Sequence, residues 1–67
     1  GLSPGLAHLA FGLESNLAVD ALTDRLRRDG YTVAGEPRTT GDGCYESVVL
    51  DAEGNRLELV SQPNVEN

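Results

Sequence analysis

A histidine and a glutamate occupy equivalent places on two predicted β-strands. His8 lies in the stretch LAHLAFGL at 6–13, and Glu58 lies in RLELV at 56–60. In both stretches large apolar residues alternate with small or polar ones, which is the spacing of a strand with one buried face. Successive side chains of a strand point to opposite faces, so both residues should lie on the face that the bulky side chains do not occupy. An imidazole and a carboxylate on one face could bind a divalent metal ion together.

Glu46 could join this pair if the last two strands form a hairpin. A strand predicted at 45–50 is followed by the five-residue loop 51–55, which has Gly and Asn at turn-favoured positions. If the strands pair symmetrically around that loop, Val48 lies opposite Glu58 and Glu46 shares their face. Glu46 would then be a third ligand or a general base. The alternative from the residues alone is an exposed sheet face that alternates polar with apolar side chains and binds nothing.

The other reactive groups are better explained by structural roles. Cys44 has no histidine near it in sequence to activate it as a nucleophile. Tyr45 is expected to be a packed aromatic residue on an edge strand. The glycines at 41–43 resemble the opening of a phosphate-binding loop, but no helix follows them to bind the anion. The arginines at 25–28 are typical of the last turn of a helix, where positive charge is favourable.

A single helix, predicted over 17–29, separates the first strand from the other three. An apolar stripe at three- and four-residue spacing predicts it, Gly30 would end it, and Ser15 or Asn16 would cap its start. The stripe consists of Val19, Leu22 and Leu26, and the strands are predicted at 6–13, 31–36, 45–50 and 56–60.

One helix can cover only one face of such a sheet. The sequence therefore predicts an α+β fold in which one helix packs on a mostly antiparallel four-stranded sheet. By parity, the bulky side chains of the first and last strands should pack under the helix. These side chains are Leu9, Phe11, Leu13, Leu57 and Leu59.

Composition limits the class of protein. The chain has 67 residues, enough for one small domain, and its single cysteine cannot form an internal disulfide, so a metal, a second subunit or a missing part should stabilise it. Eleven acidic residues against five basic ones give a net charge of −6, which argues against nucleic acid as a partner. No apolar run approaches the ~20 residues that span a bilayer, and no secretion signal is visible. The sequence predicts a cytoplasmic protein with no membrane partner.

Four local strings, in this order, resemble one module of the vicinal oxygen chelate superfamily, the group of glyoxalases, bleomycin resistance proteins and extradiol dioxygenases. They are AHLAF at 7–11, RLRRDGYTV at 25–33, EPRTTGDGCYE at 36–46 and LDAEGNRLELV at 50–60. The last string is the most specific, because members typically show Asp-Pro-Asp-Gly-Asn-x-apolar-Glu-apolar there. Ala52 and Glu53 are mild departures from that pattern.

This resemblance implies a βαβββ module, two of which pair to form a cupped sheet around a metal. In the family the first strand offers a histidine (or a glutamine or glutamate) and the last strand a glutamate, so His8 and Glu58 are the implied ligands. Glu58 and Glu46 are then the candidate catalytic residues. The chain resembles a C-terminal half, with a lead-in at 1–5 (Gly1 could be a cloning remnant), a module at 6–60 and a polar tail at 61–67. A homodimer mate or a missing N-terminal half would supply the second module.

The resemblance implies three functions. The leading one is a metal-dependent lyase or isomerase, similar to lactoylglutathione lyase, that acts on a small hydroxy-carbonyl compound. Its divalent metal would be Zn, Ni, Mn or Fe. The second is an extradiol-type dioxygenase, and the third is a non-enzymatic protein that binds a small molecule as bleomycin resistance proteins do. The sequence does not decide whether the chain is an enzyme.

Overall fold

Four strands and one helix follow one another in the predicted order within residues 8–61, the part of the chain that the computed structural model describes. The predicted lead-in at 1–5, the first two positions of the first strand and the tail beyond residue 61 lie outside it. The elements are β1 (His8–Leu13), α1 (Asn16–Arg28), β2 (Thr32–Thr39), β3 (Tyr45–Leu50) and β4 (Arg56–Ser61).

The strands form one mixed sheet in the order β1-β4-β3-β2. β1 runs parallel to β4, and the other two neighbouring pairs are antiparallel. The predicted hairpin register is confirmed, since Val48 lies opposite Glu58. Its loop is held by Asp51, whose Oδ1 accepts hydrogen bonds from the backbone N–H groups of Glu53 and Asn55 at 2.9 and 2.8 Å. The side-chain amide of Asn55 also donates to Oδ2 of Asp51 at 2.8 Å, and this bond, together with the backbone bonds, holds the pKa of Asp51 below its ordinary value of 3.8.

The ends of α1 follow from local chemistry. The Ser15 hydroxyl accepts a hydrogen bond from the backbone N–H of Ala18 at 3.1 Å, so Ser15 is the N-cap and the helix starts one residue before the predicted position. At the other end Gly30 has a φ of 99°, a left-handed conformation that favours glycine. The helix is confirmed, with its bounds shifted by one residue.

The helix crosses three of the four strands obliquely. Val19 packs with Val49 and Leu59 in the buried core between α1 and the sheet. Four side-chain hydrogen bonds mark the path of the helix from β4 at its start to β2 at its end. These bonds join Asn16 to Ser61, Asp20 to Tyr45, Thr23 to Ser47 and Arg27 to Glu36.

The expectation that Leu9 and Phe11 pack under the helix is wrong. They lie on the helix side of the sheet, where Leu9 is opposite Leu57 and Phe11 is opposite Leu59. Their exposed fractions are nevertheless 50% and 45%, because the helix lies mainly over β2, β3 and β4 and covers only a small part of β1. Leu13 and Leu57, by contrast, pack against the core as predicted.

Two further details of the sheet differ from the prediction. β2 continues through Pro37 to Thr39 instead of ending at Glu36. Proline is tolerated there because β2 is an edge strand with irregular register, so the missing N–H leaves no ladder bond unmade. Tyr45 lies on β3, which is an interior strand and not an edge.

Candidate functional site

His8 and Glu58 meet on the face of the sheet that the helix does not cover, here called the open face. Glu58 lies opposite Ala10 of β1. Ala10 follows His8 by two residues, so the side chains of His8 and Glu58 are on the same face of the sheet. The Nε2 of His8 is 2.9 Å from Oε2 of Glu58. The exposed fractions of the two side chains are 56% and 21%, so the pair is open to a ligand arriving at this face. The structure brings together the two residues that the sequence predicts as ligands.

The spacing of this pair suits two adjacent ligands of one metal ion. Metal–nitrogen and metal–oxygen bonds of about 2.0–2.2 Å place two donor atoms about 3 Å apart on an octahedral ion and about 3.4 Å apart on a tetrahedral zinc ion. The Nε2–Oε2 separation of 2.9 Å is close to the octahedral value. An imidazole nitrogen and a carboxylate bind a metal in their proton-free forms, so metal binding here would displace any proton held between the two groups.

Glu46 lies on the open face but apart from the pair. It stands opposite Val60 on β4 and Arg38 on β2, and Val48 occupies the position directly opposite Glu58. Among residues 8–61 no group of three His, Cys, Asp or Glu side chains is placed to hold a metal ion. Glu46 therefore does not complete a three-ligand site in the described part of one chain, which removes its predicted role as third ligand there.

Arg56 is a neighbour of the pair that the sequence reasoning missed. Its Nε is 3.6 Å from the same Glu58 oxygen that contacts His8. Arg56 lies opposite His8 in the β1–β4 register. It precedes Glu58 by two residues and is therefore on the same face of the sheet. The parity that selected Glu58 also selects Arg56, so the signal was present in the sequence.

The groups assigned structural roles occupy other parts of the molecule. The Tyr45 hydroxyl donates to Asp20 at 2.6 Å, which raises the pKa of Tyr45 and places it on the helix side, away from His8. Cys44 is half-buried just before β3. The hydroxyl of Thr40 donates to Asp42 at 2.5 Å and lowers the pKa of that carboxyl, so the glycine-containing loop is closed by its own bonds.

The arginine cluster at the end of α1 is engaged with carboxylates. Arg27 donates two hydrogen bonds, of 2.7 and 2.8 Å, to the carboxylate of Glu36. This pairing lowers the pKa of Glu36. The Nε of Arg25 lies 3.4 Å from Oδ2 of Asp29, the residue that follows α1. These contacts agree with a helix-end role for the cluster.

Comparison with known proteins identifies the family. The sequence model of the Glyoxalase/Bleomycin resistance protein/Dioxygenase superfamily matches residues 2–59. The chain belongs to this superfamily. Its βαβββ order and its single helix on a mostly antiparallel four-stranded sheet are those of one superfamily module.

Relatives of the chain are about twice its length. It is 42% identical over 60 residues to the uncharacterized protein YqjT of Bacillus subtilis (strain 168), a match that covers 85% of this chain and 47% of that protein. A glyoxalase/bleomycin resistance protein/dioxygenase family enzyme from Burkholderia phytofirmans PsJN matches with a TM-score of 0.82 and 27% identity, over 94% of this chain and 50% of that one.

A more distant solved structure agrees in fold. The glyoxalase/bleomycin resistance protein/dioxygenase from Nocardioides matches with a TM-score of 0.77 and 19% identity, over 94% of this chain and 42% of that one. The chain thus spans about half the length of these three proteins. No helix within residues 8–61 is long and apolar enough to cross a membrane.

Proposed function

We propose that the chain is one half of a metal-dependent lyase or isomerase that acts on a small hydroxy-carbonyl compound. The observation that carries this proposal is the 2.9 Å approach of His8 Nε2 to Glu58 Oε2 on the open face. Superfamily membership supports it, because the pair lies on the first and last strands of the module. When bound, a divalent ion would act as a Lewis acid on two adjacent oxygens of the substrate.

Glu58 is suited to a second role in this proposal. Within residues 8–61, the two basic side chains near it, His8 and Arg56, both lie closest to Oε2. Oε1 has no such partner there, so Glu58 would hold the ion as a ligand and could also accept a proton from the substrate. Glu46, on the same face, is the alternative general base. A Glu46→Gln variant would separate the two, since it should keep metal affinity in either case and lose turnover only if Glu46 is the base.

The site needs a second module. Two ligands are fewer than the three protein ligands of a typical catalytic metal site, and the described residues offer no third beside them. β1, which carries His8, is an edge strand whose helix-side residues Leu9 and Phe11 are half-exposed. A second module that pairs with this edge would cover them and bring its own ligands toward His8. It would come from a homodimer mate or from an N-terminal half of a longer protein.

Metal binding tests the proposal directly. We expect His8→Ala and Glu58→Gln to weaken binding of Ni(II), Zn(II) or Mn(II) at least about tenfold, because each removes one of two ligands. The measurement is native mass spectrometry of the full chain with each metal added at neutral pH. Glu53→Gln is the matched control, since Glu53 is an exposed carboxylate in the β3–β4 loop. Circular dichroism should show the same fold in all three variants.

Two other results would count against a metal-dependent enzyme. Metal affinity that is unchanged in Glu58→Gln would contradict the proposed centre. Saturable binding of a small molecule that survives EDTA, without any metal affinity, would favour a binding protein over an enzyme.

A further inference from the structure

Val48 is almost completely buried although it lies on the open face. Its exposed fraction is 2%, and it stands between Gly35 on β2 and Glu58 on β4 in the sheet register. A Cβ added to Gly35 would lie 3.0 Å from Nη1 of Arg38 and 3.5 Å from Cβ of Val48. The guanidinium of Arg38 therefore lies in the space that a side chain at position 35 would fill, beside Val48.

This placement keeps Arg38 apart from the carboxylate that it faces. Glu46 stands directly opposite Arg38 in the β2–β3 register, a position from which opposite charges normally attract each other. Within residues 8–61, however, the two form no ion pair with each other or with a third residue, and Arg38 donates from Nη1 to the Glu36 carbonyl at 3.3 Å. The open face thus carries a positive and a negative group that do not neutralise each other.

The separation of the two groups suits a small ligand between them. The guanidinium lies at the level of Val48, and Glu46 precedes Val48 by two residues on the same face, which is about 7 Å along an antiparallel strand. Two hydrogen bonds of about 2.9 Å, joined by the short span between the ammonium and the carboxylate of an α-amino acid, cover a distance of this order. The guanidinium fork matches a carboxylate, and the half-buried carboxylate of Glu46 can accept from an ammonium.

We propose that Arg38 and Glu46 bind a small zwitterion of the α-amino acid type, with its carboxylate on the guanidinium and its ammonium on the carboxylate of Glu46. Gly35 is a positioning residue in this scheme, because the space above it holds the guanidinium apart from Glu46. The inference goes beyond the proposed function and needs no metal, since it uses neither His8 nor Glu58.

Three probes separate the two ends of the ligand. L-Alanine carries both charged groups, propionate carries only the carboxylate, and ethylamine carries only the ammonium. Each is titrated into the full chain with EDTA present, at neutral pH and constant ionic strength, and its affinity is measured from backbone amide chemical shifts. We expect alanine to bind at least about tenfold more tightly than either of the others, because each of them lacks one charge-assisted hydrogen bond.

Matched variants assign each end of the ligand to one side chain. In Arg38→Gln, alanine should bind no better than ethylamine, and in Glu46→Gln it should bind no better than propionate. Arg28→Gln and Glu53→Gln make the same changes of charge at exposed positions in α1 and in the β3–β4 loop, away from the open face. Both controls should keep the wild-type preference for alanine.

The role of the glycine is tested by adding the missing Cβ. Gly35→Ala should displace the guanidinium without straining the backbone, since Gly35 has no positive φ. We expect it to lower the affinity for alanine several-fold while the amide spectrum remains that of the folded chain. Gly12→Ala is the matched control, because Gly12 lies on the same face with no atom within 4 Å of an added Cβ. It should leave the affinity unchanged.

Three results would contradict the inference. Alanine that binds no more tightly than propionate and ethylamine in the wild type would overturn it. Alanine affinity that is unchanged in Glu46→Gln would also overturn it and would leave Glu46 to the general-base role considered above. Unchanged affinity in Gly35→Ala would overturn the positioning role of the glycine. None of these measurements depends on metal binding, so the proposed function can fail or succeed independently.

Discussion

Thr23 and Ser47 form a fully buried polar pair between α1 and β3. The Thr23 hydroxyl is 2.6 Å from the carbonyl oxygen of Val19 and 2.7 Å from the hydroxyl oxygen of Ser47. The carbonyl can only accept, so Thr23 donates to it, and Ser47 must donate to Thr23. The two hydroxyls therefore do not depend equally on each other. Removing Thr23 leaves the Ser47 hydroxyl without an acceptor, whereas removing Ser47 leaves the bond from Thr23 to the Val19 carbonyl in place.

This inequality predicts the outcome of a double-mutant cycle. We expect Thr23→Val to lower the free energy of unfolding by about 1–3 kcal/mol, because it leaves the buried Ser47 hydroxyl unsatisfied. Ser47→Ala should cost less, about 1 kcal/mol, since no buried donor is left without an acceptor. The double variant should be more stable than Thr23→Val alone. Urea denaturation measures all three, and costs that simply add would contradict this account of the pair.

The sequence predicts that both residues face the interior, but not that they meet. Thr23 follows Val19 by four residues on the helix, and Ser47 alternates with Val49 on β3, so parity places both on the interior side. Parity does not show which strand lies beneath which turn of the helix. The bond between the two hydroxyls depends on that crossing, which is a tertiary feature.

At the scale of elements, Gly30 decides how α1 ends. Its φ of 99° lies in the left-handed region, and an added Cβ would meet no atom within 4 Å. We expect Gly30→Ala to destabilise the chain by about 1 kcal/mol through backbone strain alone. Gly12→Ala is the matched control, because Gly12 also has open space but no positive φ. Thermal denaturation should show a lower midpoint for the first variant, and equal midpoints would contradict a conformational role for Gly30.

The elements themselves were largely predictable from local chemistry. The helix stripe, the capping serine and the five-residue hairpin loop each act over a few residues, and each was placed within about one position. The extension of β2 past Pro37 was not predicted, because a proline ends an interior strand but not an edge strand, and strand order is not a local property. The exposure of Leu9 and Phe11 was missed for a related reason. Parity gives the side of the sheet but not the area that one helix covers.

At the scale of the whole molecule, the exposed β1 edge predicts self-association. Phe11 is 45% exposed beside a strand edge with which no other strand within residues 8–61 pairs. β1 contains no Asp or Glu, so two chains with a net charge of −6 repel least there. We expect the chain to form dimers, and Phe11→Asp to shift them to monomers by placing a charge in the contact. Sedimentation velocity measures both.

A matched substitution controls for added charge. Leu17 is 77% exposed at the start of α1, so Leu17→Asp adds the same charge without touching β1, and it should leave the dimer intact. A wild-type chain that is monomeric at high concentration would contradict the pairing of two copies. Dissociation by both variants to the same degree would show that charge alone, and not the β1 edge, governs association.

The two edges of the sheet also limit how far such an assembly can grow. Strands that expose backbone groups at both edges can add further copies without end, which is how fibrils propagate. The β2 edge is poorly suited to pairing with another strand, because it contains Pro37 between the charged residues Glu36 and Arg38 and has an irregular register. If two copies paired through β1, the β1 edge of each copy would be covered. Only the two β2 edges would then remain at the outside of the joined sheet. We therefore expect the sheet to double by pairing of two copies and not to grow further into a fibril.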